Sequence, residues 1–178
     1  MKPRVGISRC LLGDDVRYDG TNRLSTAVTE LTPLVEWVPV CPEVEVGMGV
    51  PREPIQLLRR DDGVRSGRES VRLKSIHSGE DWTDRMDRWA AARAAELAAA
   101  GISGFVLKAR SPSCGPAAVL VHDESGAPPA PTGRGLFAEA LIAVIPGLPV
   151  IDEEALEDRQ KRERFLQTVR AFAVTRGA

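Results

Sequence analysis

A chain of 178 residues with 43% hydrophobic content has room for one domain with its own core, so a single unit over residues 1–178 is the starting expectation. Its 24 basic and 25 acidic side chains leave a net charge of −1, which argues against the global field that DNA or membrane binding ordinarily draws on. No apolar run nears the roughly 20 residues of a spanning helix, and the opening MKPRVGISRC lacks the apolar core of a secretory signal, so a soluble cytoplasmic protein is expected.

In chain order, short runs rich in Val, Ile and Leu and bounded by turn residues predict strands at Arg4 to Ser8, Glu36 to Val40, Gly104 to Lys108 and Pro149 to Ile151. Helical spacing occupies the gaps. Helices are expected over about Leu24 to Leu34, Asp81 to Ala100 with Gly101 as the cap glycine, Leu136 to Val144, and one C-terminal stretch from Asp152 to about Ala173. This β-α alternation predicts a parallel sheet covered on both faces: a Rossmann-like three-layer α/β fold with a mainly parallel central sheet flanked by helices. Gly47 to Gly79 and His122 to Arg134 resist regular assignment, although part of Ile55 to Leu73 is expected as a strand or hairpin at the sheet edge.

The chemistry gathers around cysteine. Three cysteines cannot pair completely, and Cys10, Cys41 and Cys114 fit no compact CxxC metal motif. Their positions say more than their spacing. Each follows a predicted strand, and in an open α/β sheet ligands bind outside the carboxyl ends of the strands, so the three thiols are expected to meet there. A free cysteine is commonly a small buried hydrophobe, yet such residues sit inside apolar runs rather than in turns such as SPSCG. Three thiolates with an open position describe a catalytic zinc or a cluster with one uncapped iron. His77 and His122 are poorly placed to add a fourth ligand.

Around the cysteines lie candidate acids and hydroxyls. Cys41-Pro42-Glu43-Val44-Glu45 puts two carboxylates just past a strand end, where strand-like alternation would aim them differently. Glu43 is the better candidate for proton transfer, since burial beside a cluster raises a carboxyl pKa. In KARSPSCG, Ser111 is placed to donate to a developing anion or to position water.

Taken in order, GISRCLLGDDVRYDG, CPEVEVGMGVPREP, KARSPSCG and GRGLFAEAL resemble the thiouracil desulfurase family. The resemblance runs from about Val5 to Leu141. It implies a [4Fe-4S] cluster held by three cysteine ligands, Cys10, Cys41 and Cys114, with one open iron, and a non-redox reaction that turns the thiocarbonyl of a uracil base, nucleoside or nucleotide into a carbonyl with release of sulfide. The family's catalytic residues carry over onto Glu43 and Ser111. Asp14, Arg17, Tyr18 and Asp19, and less directly Arg52 and Glu53, are expected to support the pocket. The implied partner is a small thiolated pyrimidine, with thiolated tRNA less favoured because no second C-terminal domain follows. Arg9 departs from the small residue that more often precedes the first cysteine. The competing reading is a non-enzymatic metal- or cluster-binding protein serving sulfur relay or redox sensing.

Overall fold

The computed structural model describes residues 2–60 and 70–176. Its strands are β1 (Arg4–Ser8), β2 (Glu36–Val40), β3 (Ile55–Arg59), β4 (Val71–Ser75), β5 (Phe105–Leu107), β6 (Val119–His122), β7 (Ala130–Gly133) and β8 (Val150–Asp152). The helices are α1 (Thr26–Leu31), α2 (Pro42–Glu45), α3 (Thr83–Ala99), α4 (Leu136–Val144), α5 (Glu153–Glu157) and α6 (Arg159–Arg176).

The four predicted strands form one parallel sheet in the order β2-β1-β5-β8. The chain leaves β1 toward one edge and, after β2, crosses to the other side of β1. Right-handed crossovers in opposite directions must lie on opposite faces, and they do. Val5, Ile7 and Val106 pack with α1, α5 and α6 through Val28, Leu31, Leu156 and Phe165. Phe105 and Leu107 face α3 and α4 through Ala90, Ala94, Leu97, Phe137 and Leu141. This is the expected three-layer arrangement, with strand alternation assigning each apolar side chain to its layer. Two close approaches tighten it. Ala90 and Ala94 are buried between α3 and α4, and Phe137 meets Phe105 edge-on at 5.5 Å and Trp89 at 5.4 Å. Gly6 faces the Phe105 ring, which a Cβ there would strike at 2.2 Å.

The segments that resisted assignment supply β3, β4 and β7 of a second sheet, in the order β4-β3-β6-β7, whose remaining strand, β6, ends where the second of them begins. The hairpin expected within Ile55 to Leu73 exists as β3 and β4, antiparallel, but it belongs to this separate sheet rather than to the edge of the first; residues 61–69 of that segment lie outside those described. Beneath it Ile55, Leu57, Leu73, Val119, Val121 and Leu136 pack against Trp82 and Met86. Helix α3 therefore serves both sheets, its first turn under one and its later turns under the other.

Two local expectations change. Glu43 and Glu45 lie on the short helix α2, with Pro42 at its first position, so they do not alternate as on a strand. The C-terminal helix is two helices. Asp152 caps α5 by accepting from the Ala155 amide at 2.7 Å, and Asp158 restarts the chain by accepting from the Gln160 and Lys161 amides at 2.8 and 3.1 Å. Among the described residues, no helix is long and apolar enough to cross a membrane.

Candidate active site

All three cysteines reach one cavity of about 270 Å³ at the carboxyl end of the parallel sheet. Cys10 sits on a 3-10 turn, Arg9–Leu12, that follows β1 directly and ends at Gly13 in the left-handed region, φ 96°. Cys41 is the N-cap of α2, and the Glu45 carboxylate accepts its backbone N–H at 3.1 Å. Cys114 lies on the loop after β5. That loop is shaped by the start of α4, where the amides of Leu136 and Phe137 donate to the carbonyls of Pro112 and Ser113 at 3.2 and 3.0 Å. Gly135 makes the approach possible, since a Cβ there would fall 2.5 Å from the Ser113 carbonyl. The GRGL motif thus holds the SPSC motif in place.

Burial and mutual proximity keep these thiols protonated. Cys10 is pushed up to about 11, mainly by burial and then by Cys41, while Lys108 and Arg17 oppose the rise. Cys41 is raised by burial first and by Glu43. Cys114, the most enclosed, is raised furthest by burial, with the Ser8 hydroxyl opposing through a hydrogen bond and Cys41 and Cys10 adding to it. Three thiols that disfavour one another's ionisation form a soft donor set suited to a cationic thiophilic centre. Among the described residues no three His, Cys, Asp or Glu side chains close on a single metal ion.

A continuous polar chain crosses the cavity. Arg52 donates through Nε and Nη2 to Glu43 Oε2, each at 2.7 Å, and also to the carbonyls of Gly49 and Val16 at 2.7 and 3.0 Å. The other oxygen of Glu43 accepts from the Ser113 hydroxyl at 2.7 Å. Ser113 lies 3.0 Å from the Ser111 hydroxyl, and Ser111 Oγ accepts the Ser113 and Cys114 amides at 3.3 and 3.1 Å. Glu43 and Ser111 are thus brought together, but through Ser113, which the sequence reading did not single out. Two serines flanking one proline look alike in a sequence, and in the structure it is Ser113 that turns toward Glu43.

The supporting residues divide. Arg17, Tyr18 and Arg52 line the cavity. Asp14 instead pairs with Arg9 at 2.6 Å, so the charge of the unusual Arg9 is matched locally. Asp19 accepts from the amide and hydroxyl of Thr21 at 3.1 and 2.6 Å and shapes the loop rather than the pocket. Glu53 accepts the His77 and Ser78 amides, each at 3.0 Å, which anchors His77 in a turn; neither His77 nor His122 lines the cavity. A further buried pair stands at the wall. Glu153 binds Lys108 Nζ and accepts the Ala109 amide at 2.6 Å. Its only signal in the sequence was an acid opening a helix just after a strand.

Sheet order, crossovers and a thiol-ringed cavity at the switch point define a doubly wound α/β protein with a ligand site where that architecture places one. A family profile for 2-thiouracil desulfurase matches residues 5–153, and the chain belongs to that family. An uncharacterised Bacillus subtilis (strain 168) protein, YbbK, is 32% identical over 153 residues, covering 85% of this chain and 97% of its own. The solved structure of a [4Fe-4S]-dependent thiouracil desulfidase, TudS, superposes with a TM-score of 0.67 at 28% identity, covering 92% of this chain and 99% of that one.

Proposed function

We propose that residues 1–178 act as one desulfurase domain that replaces the thiocarbonyl sulfur of a uracil base, nucleoside or nucleotide with oxygen from water, without net redox change. The carrying observation is that Cys10, Cys41 and Cys114 line the same cavity as Glu43, Ser111 and Ser113. The donor set fits an iron–sulfur cluster better than a single ion, because each thiolate binds its own iron and the thiols need not converge on one point. When bound through these three cysteines, a [4Fe-4S] cluster supplies an iron free of protein ligands, a thiophilic Lewis acid beside the substrate.

The chain's own groups supply the proton chemistry. Glu43 is anchored by Arg52 through Oε2, so Oε1 is the oxygen that can take a proton from the attacking water and return it to the departing sulfur. Ser113 keeps Oε1 oriented. Ser111 Oγ accepts two amides and, because the Ser113 hydroxyl donates to Glu43, gives its own hydrogen to Ser113 Oγ; rotation of that hydroxyl toward the substrate would let it donate to charge developing at the attacked ring carbon. The cavity lies near the lower end of the roughly 300–1,000 Å³ of small-molecule sites, which supports a small thiolated pyrimidine over thiolated tRNA as substrate.

Anaerobic reconstitution should give a brown protein with about four irons that releases sulfide from 2-thiouracil or a 4-thiouridine derivative. Undiminished activity in Cys114→Ala, or zinc as the sole bound metal with no desulfuration, would overturn the proposal.

A further inference from the structure

Five cationic side chains surround the cavity: Arg9, Arg17, Arg52, Lys108 and Arg110. Four of them are committed to carboxylates. Arg9 pairs with Asp14, Arg52 with Glu43, Lys108 with Glu153 and Arg110 with Glu154. Arg17 is different. Its nearest carboxylate, Asp19, lies 3.7 Å away and already accepts from the Thr21 amide and hydroxyl. Among the described residues the Arg17 side chain makes no hydrogen bond, and its Nε is buried without a partner. A guanidinium carries five donors, and one that is only 18% exposed leaves them poorly satisfied by water.

The surroundings hold this guanidinium in place without using its donors. It lies 5.5 Å from the centre of the Tyr18 ring, and the Arg17 backbone is fixed from both sides, its amide donating to Thr21 at 3.1 Å and its carbonyl accepting from Gly20 at 3.0 Å. The neighbouring Val16 carbonyl accepts from Arg52 at 3.0 Å, so the loop bearing Arg17 is tied to the group that holds Glu43. An oriented donor fork whose ion pair with Asp19 is long, standing in the wall of a reaction cavity, is a recognition element in want of a closer acceptor.

We infer that Arg17 is the specificity-determining residue of the site: its guanidinium donates to the carbonyl oxygen that the pyrimidine keeps, and so fixes which ring carbon faces the cysteines. This rests on the desulfurase reading above. Thiouracil suits the arrangement because it offers one thiocarbonyl to be lost and one carbonyl to be held. Arg17 makes no covalent contribution and moves no proton.

The test compares two substrates of the reconstituted enzyme, 2-thiouracil and 2-thiopyrimidine, which share the thiocarbonyl carbon but differ in the second oxygen. Calorimetric binding of uracil is measured in parallel. Arg17→Gln should lower kcat/KM on 2-thiouracil and weaken uracil binding by about 10- to 100-fold, chiefly through KM, while leaving the slower turnover of 2-thiopyrimidine within about 2-fold. Arg17→Lys should recover part of the loss. Iron content and visible absorbance should match the parent in both variants, which separates recognition from misfolding. Equal losses on both substrates, or unchanged uracil affinity, would each overturn the assignment. If the parent turns over neither compound, nor 4-thiouridine or a thiolated uridine monophosphate, the desulfurase reading fails, and uracil affinity alone then decides the role of Arg17.

Discussion

Replacing Arg52 with methionine keeps most of the aliphatic stem and removes the charge from a pair that is nearly closed to water, with Arg52 7% and Glu43 14% exposed. The perturbation leaves the Glu43 carboxylate without its two donors and the Gly49 and Val16 carbonyls without theirs. Breaking a buried pair by removing one partner costs about 3–5 kcal/mol. Glu43 faces a cavity that water enters and keeps its bond to Ser113, so the lower end, about 3 kcal/mol, applies. For a chain of this size 1 kcal/mol moves Tm by about 2–4 °C, which gives a fall of about 6–12 °C in a thermal melt followed by circular dichroism. Because the cost arises from a stranded charge, Glu43→Gln combined with Arg52→Met should be more stable than Arg52→Met alone by at least about 1 kcal/mol. A fall below about 2 °C in the single variant, or a double variant no more stable than it, would refute the reasoning.

Other perturbations probe the walls of the site. Glu153→Gln should cost about 1–3 kcal/mol in urea unfolding, since Lys108 then keeps only a neutral partner in a setting where Glu153 is 13% and Lys108 16% exposed. Gly135→Ala should cost about 1–3 kcal/mol through overpacking and should also lower iron retention after reconstitution, because the added carbon meets the backbone of the Cys114 loop. Glu53 is lowered from 4.5 to about 2, first by the Ser78 hydroxyl and then by the Ser78 and His77 amides. A depressed folded value means that its stabilisation is complete above pH 4.5 and disappears as the pH falls toward 2, so Glu53→Gln should lower stability at neutral pH, flatten the acid limb of the stability curve and converge on the parent as the pH approaches 2.

The parallel sheet was legible because each of its strands is a compact apolar run: β1 and β2 occupy the residues expected of them, as does α4. The second sheet was not, for reasons that lie in its residues. Strand β7 reads APTG, and Pro131 is tolerated only because that strand is an edge, which no local pattern announces. Strand β6 has four residues and pairs in parallel with β3, a partner far away in the chain. Within the candidate site, the cysteines were legible through their place after strands. Ser113 and the Lys108–Glu153 pair were not, because side-chain direction after a turn and contacts between distant segments leave little trace in local spacing. The break between α5 and α6 was not legible either, because Asp158, which caps α6, sits in a stretch that otherwise reads as one helix.

The way α4 holds the Cys114 loop bears on when the cavity comes into being during synthesis. Cys10 and Cys41 leave the ribosome early, and Cys114 follows, but the loop around Cys114 takes its form from amides of residues 136 and 137. A nascent chain that has exposed all three thiols still lacks the scaffold that gathers them, and gains it only once α4, ending at Val144, can fold back onto the sheet. Under the proposed function, iron delivered before that moment would meet scattered thiols rather than a site, so a cluster held by these cysteines would load only after α4 has been made.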